Sequence, residues 1–296
     1  MTDTAAVRAL LEQVQGHEAW AVIRRKAEAT AGIVGGRRSE VGSILDIPLE
    51  TGIPEPGRSA DRLVAVPFRQ VAERGFEAID DGTPLVVVDI EEEHEVGVEE
   101  LLAALPEASV EFADRGGFVV DDASYAEVVD RIIREEIGRG EGANLVIGRH
   151  YRAVVADWDA TGALSVYRRL LERERGAYWT FCFFTGDRYL IGASPERHVS
   201  VRGGQGTADG DLLDVRMNPI SGTFRVGAAA ESGTPMKERL LDFLADEKEI
   251  YELFMVVDEE LKMMCDVCNE GGQVLGPFLK PMTHLCLLYT SDAADE

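Results

Sequence analysis

"AYWTFCFFTGDRYLIGASPERHVSV", residues 177–201, decides the fold. Aromatic and β-branched residues fill three short runs, "AYWTFCFFTG", "RYLIGAS" and "HVSV", joined by tight turns that carry Gly or Asp. That pattern predicts successive strands. "VRMNPIS" (215–221) predicts another. Helical patterns flank the run: "ALSVYRRLLERERG" (163–176) before it, and "MKERLLDFLADEKEIYELFMVVDEELKMMCDVC" (236–268) after it. The second reads as one long helix or two, with a stop near Asn269-Glu270-Gly271-Gly272. Strand runs set beside helices predict an α+β fold rather than an alternating parallel one.

Upstream, "RLVAVPF" (62–68) and "TPLVVVDI" (83–90) read as strands and "VEELLAAL" (98–105) as a short helix. "GGRRSEVG" (35–42) and "ETGIPEPGRSADR" (50–62) read as loops, and the charge run "EEEHE" (91–95) as a solvated turn. "DDASYAEVVDRIIREEIGRG" (121–140) predicts a helix capped by Asp122 and stopped at Gly138. "ANLVIGRHYRAVV" (143–155) predicts a strand. No internal repeat is visible.

At 296 residues the chain holds about two domains' mass or one large core. Its net charge of -24 argues against a nucleic-acid partner, which needs a basic footprint. No apolar run approaches the ~20 residues that span a bilayer. The start, MTDTAAVRALLEQV, lacks the basic-then-apolar pattern of a leader. The expectation is a soluble cytoplasmic protein with no membrane partner. Four cysteines make no disulfide framework, and Cys265-x-x-Cys268 reads as two ordinary helix cysteines. No GxGxxG or GxxxxGK[ST] supports a nucleotide cofactor.

Three stretches could carry chemistry. In "GASPERHVSV" (192–201), Ser-Pro-Glu at a strand end either aims the Glu196 carboxylate out of the sheet or forms a turn. In "MNPISGTFR" (217–225), Gly222 admits close approach to the backbone, so the Gly222 and Thr223 amides could hold a carboxylate. The alternative is a strand ending in a turn. In "DEKEIYELFMVVDEE" (246–260), Glu249 and Glu252 share a helix face. They suit a hard cation such as Mg²⁺, or else form a solvated face with Lys248 and Lys237 as partners.

The order "SPE", "NPISGT", "DEKEIYE" resembles the chorismate-utilising family that includes anthranilate synthase component I. "ERGFEAIDDGTPL", "GEGANLVI", "GAYWTF" and "MVVDEELKMM" sharpen the resemblance towards the phenazine-pathway 2-amino-2-deoxyisochorismate synthases. It covers roughly residues 60 to 285.

The resemblance implies the chorismate-binding-enzyme fold, antiparallel sheets in a sandwich flanked by helices. It implies that chorismate loses its ring hydroxyl as a nucleophile adds elsewhere on the ring. Glu252 matches the first magnesium-binding glutamate and Glu249 its close neighbour, Gly222 and Thr223 match the substrate contacts, and Glu196 the general acid; the second magnesium glutamate of the family belongs to the part beyond "MTHL". Asn144 stands where water-adding relatives carry a lysine base. An amide cannot act as a base at neutral pH, and ammonia needs none, so Asn144 favours amination. His284 in "MTHL" matches a histidine associated with pyruvate loss to anthranilate, leaving both products open. Leu253 replaces the histidine that commonly follows the magnesium glutamate, and no "LLES"-like tryptophan-sensing motif is found. The implied partners are chorismate, ammonia from a glutamine amidotransferase domain or subunit, and a second copy in a homodimer. The alternatives are anthranilate synthase component I proper and a non-catalytic module that partners a glutaminase.

The domain expectation is an N-terminal part over 1–120 and the first half of the chorismate-binding domain over 121–285. "LCLLY" (285–289) reads as a buried strand. The tail "CLLYTSDAADE" (286–296) looks like a translated sequencing adapter, which implies a C-terminally truncated chain with no turnover and poor solubility.

Overall fold

The computed structural model describes residues 4–26, 28–49, 60–142, 145–203, 213–227, 233–268 and 272–295. In chain order the elements are α1 (Thr4–Val14), β1 (Ala19–Arg25), β2 (Thr30–Val41), β3 (Arg62–Ala65), β4 (Leu85–Gly97), α2 (Val98–Ala104), β5 (Phe112–Phe118) and α3 (Asp122–Arg131). Then come β6 (Tyr151–Val155), α4 (Ala160–Arg173), β7 (Trp179–Phe184), β8 (Tyr189–Ser194), β9 (Arg197–Gly203), β10 (Leu213–Asn218) and β11 (Ile220–Arg225). The last are α5 (Met236–Ala245), α6 (Glu247–Val267), β12 (Gln273–Pro281) and β13 (Leu285–Asp295). Among the described residues every strand pairing is antiparallel, as the α+β reading requires.

The chain forms two compact units, each discontinuous in sequence: Met1–Ala108 with Ala160–Pro195, and Ser109–Asp159 with Glu196–Glu296. The first is a six-stranded sheet in the order β3-β4-β2-β1-β7-β8. Strand alternation explains its burial on both faces. Trp20 and Val22 of β1 join Val7, Leu11, Leu101, Leu164 and Tyr167 from the helices, while Ala19 and Ala21 face Val86, Val88 and Phe183. Burying each large apolar side chain contributes about 1.5–3 kcal/mol.

The second unit holds a two-stranded β5-β6 sheet and a sheet in the order β11-β13-β10-β9, with β12 on β13. β13 begins with the expected buried run: Cys286, Leu287 and Leu288 are 4–8% exposed. The long C-terminal helical pattern resolves into two helices at Asp246, whose side chain accepts from the Lys248 N–H and caps α6. Met264 of α6 is buried against Val215 and Met217 of β10.

Four sequence expectations are corrected. "EEEHE" lies inside β4, with Glu91 the extra residue of a bulge opposite Gly35-Gly36. "GGRRSEV" is likewise strand, in β2; a side chain at Gly36 would overlap the Asp89 carbonyl, so glycine permits the close approach. The helix after residue 120 is capped by Asp121, continues beyond Arg131 through a π-helical segment (132–136), and stops at left-handed Gly140 rather than Gly138. Its side-chain cap bond needs a residue one position earlier than Asp122. Of "ANLVIGRHYRAVV", only Tyr151–Val155 is strand, the part with a partner in β5; Ala143 and Asn144 lie outside the described residues. Most of "ETGIPEPGRSADR" lies outside them too.

Candidate active site

The second unit gathers most of the candidate residues around β11. Pro219 breaks the strand pattern of 215–221 into β10 and β11. At the head of β11, the Ile220 N–H donates to Glu196 Oε1 at 3.3 Å. Beside it, Arg197 Nη2 donates to Asn218 Oδ1 at 2.5 Å, tying the residue after Glu196 to the end of β10. This Arg197–Asn218 anchor escaped the sequence reading. Its only trace there is an arginine directly after Ser-Pro-Glu and an asparagine directly before Pro219.

Gly222 lies two residues along, paired with Leu288 of β13. Its missing side chain makes room for α6. A Cβ there would lie 2.5 Å from Glu249 Oε2 and 3.0 Å from the Phe243 ring. Phe243 in turn packs on Phe224 with ring centroids 5.6 Å apart. Arg239 of α5 donates to the Arg225 carbonyl at 2.8 Å and stacks on Phe224. The space expected to admit a ligand at Gly222 therefore holds a carboxylate of this chain. Thr223 is exposed.

Glu249 and Glu252 share one helix face as predicted, with side chains 14% and 18% exposed. Lys248 Nζ spans them, 2.8 Å from Glu249 Oε1 and 2.7 Å from Glu252 Oε2. The hydrogen bond to Glu249, then that to Glu252, raises the lysine pKa above its ordinary value. Glu249 Oε2 is buried against Gly222 with no hydrogen-bond partner.

These residues fit a magnesium ion. The donors are carboxylate oxygens, the pair already draws a cation in the form of Lys248, and one Glu249 oxygen is unpaired. Among the described residues no three His, Cys, Asp or Glu side chains converge on one point. Two protein carboxylates completed by substrate oxygens are a usual Mg²⁺ arrangement.

His284 is not brought to Glu196. Its carbonyl accepts from the Val226 N–H at the opposite end of β11, about 20 Å along the strand from Ile220. Asn144 lies outside the described residues. The cysteines of Cys265-x-x-Cys268 are free, Cys265 exposed and Cys268 buried.

Residues 88–280 match the chorismate binding enzyme family. The chain is 46% identical over 291 residues to "Anthranilate synthase, phenazine specific" of Pseudomonas chlororaphis, covering 96% of this chain and 43% of that protein. The Pseudomonas fluorescens protein of the same name is 45% identical over 274 residues, covering 90% and 40%. The chain thus spans less than half the length of these relatives. Its fold resembles MenF, the menaquinone-specific isochorismate synthase from Escherichia coli, with a TM-score of 0.61 at 13% identity over 96% of this chain and 67% of that one. No helix among the described residues is long and apolar enough to cross a membrane.

Proposed function

The chain belongs to the chorismate-binding enzyme family, and from that premise we propose that the whole protein carrying it aminates chorismate to 2-amino-2-deoxyisochorismate in phenazine-type metabolism. Ammonia comes from a glutamine amidotransferase domain or subunit. Water is the other product.

The observation that carries this reading is Glu249 seated on a glycine of β11, bridged by Lys248 to Glu252 on the same helix, with Glu196 at the head of that strand. Glu249 and Glu252 would hold Mg²⁺, which when bound supplies the positive charge that the substrate's ring carboxylate needs in a protein of net charge -24. Exposed Thr223 is left to contact the substrate, while Gly222 acts by seating Glu249. Glu196 donates a proton to the departing ring hydroxyl, which leaves as water; a positioned acid contributes ~10²–10⁴-fold. Its bond from the Ile220 N–H and the neighbouring Arg197–Asn218 anchor hold it in place. The Asn144 position favours ammonia over water as nucleophile, since it offers no base.

A second reading, release of pyruvate to give anthranilate, is favoured by the relatives' name and by His284. Chromatography of a reaction with chorismate, ammonium and Mg²⁺ separates the two. The proposal expects a non-fluorescent amino acid product that retains the enolpyruvyl group. Fluorescent anthranilate as sole product would replace it with the second reading.

A further inference from the structure

We propose that Lys248 is a built-in counter-ion of the carboxylate pair, which a divalent cation must displace in order to bind. This rests on reading Glu249 and Glu252 as metal ligands.

One ammonium contacts an oxygen of each carboxylate, at 2.8 and 2.7 Å. The same oxygens cannot face an ammonium and a metal ion at that range together, because the two cations would repel. The burial is one-sided. The carboxylates are 14% and 18% exposed, whereas the Lys248 side chain is 67% exposed. The lysine therefore has solvent to move into, whereas the glutamates are largely buried, Glu249 against Gly222 of the sheet.

Lys248 also sits where helix electrostatics disfavour it. It lies in the first turn of α6, at the positive end of the macrodipole. The two glutamates offset that cost. Its main chain is held by the Asp246 cap, so only the side chain needs to move. In this arrangement the metal-free pair is charge-compensated, which protects the fold from the repulsion of two adjacent carboxylates. The consequence is weaker metal binding than the carboxylates alone would give.

The test is calorimetric titration of Mg²⁺, with Mn²⁺ followed by electron paramagnetic resonance, into the wild type, K248M, K248R and E252Q, with folding checked by circular dichroism. K248M is expected to bind about two- to fivefold more tightly than wild type, the scale of an exposed ion pair. K248R keeps the charge and is expected to stay near wild type, and E252Q to lose binding. Equal affinity in wild type and K248M, with loss in E252Q, overturns the lysine proposal alone. So does an equal gain in K248M and K248R. Absence of binding in every variant overturns the metal-ligand reading, and the proposal with it.

Discussion

Gly222 and Glu249 occupy one another's space: the position a Gly222 Cβ would take lies 2.5 Å from Glu249 Oε2. The glycine is needed for the carboxylate rather than for a turn. Gly222→Ala should push the Glu249 carboxylate and the Phe243 ring aside while the strand pairing survives. Mg²⁺ affinity should fall by roughly tenfold or more, the scale of a displaced ligand contact, with the melting temperature shifted by only a few degrees. Calorimetric titration alongside a thermal melt checks this. Unchanged affinity in a folded G222A protein would remove the glycine from the site.

Asp246 separates the two C-terminal helices and caps the second. Asp246→Ala should cost about 1 kcal/mol, the usual worth of such a cap. Asp246→Asn should cost far less. Urea unfolding of both variants measures the difference.

The Tyr167 hydroxyl is buried in the first unit without a hydrogen-bond partner. Burial also drives its pKa well above the usual tyrosine value. Tyr167→Phe removes an unsatisfied group and keeps the ring, so stability should be unchanged or rise by about 1 kcal/mol. A loss above that amount in urea unfolding would show that the hydroxyl is satisfied in solution.

Glu92 accepts from His94 Nε2 at 2.5 Å and His17 Nε2 at 2.9 Å, joining β4 to the turn after α1. The His94 bond, then the His17 bond, holds its carboxyl below the usual glutamate value. A depressed carboxyl contributes stability above its unfolded pKa of about 4.3 and loses it as pH falls through the lower folded value. Wild type should therefore lose more stability than Glu92→Gln on going from pH 5 to pH 3. Denaturation at both pH values tests this, and parallel losses would contradict it.

Much of the fold was legible because its strands announce themselves. Residues 177–201 became β7, β8 and β9, where aromatic and β-branched residues alternate between turns. Residues 35–41 and 91–95 read as loop or turn because charge and glycine normally mark such segments. Here the glutamates and arginines stand along paired strands, and Gly36 allows one backbone to approach another. The doubled glycine inside an otherwise strand-like run was the available signal. At the site, spacing alone placed Glu249 and Glu252 on one face. It could not tell a metal pair from a salt-bridged face, and Lys248 bridging both shows that the two descriptions overlap. The seating of Glu249 on Gly222 joins residues far apart in sequence, which no local pattern encodes.

The most direct test of the account is chorismate consumption by the whole protein with ammonium and saturating Mg²⁺, comparing wild type with Glu252→Gln and Glu196→Gln. The account predicts turnover in the wild type that chelation abolishes, and loss of at least about a hundredfold in either variant with folding intact. Wild-type turnover that survives Glu252→Gln or chelation would contradict it.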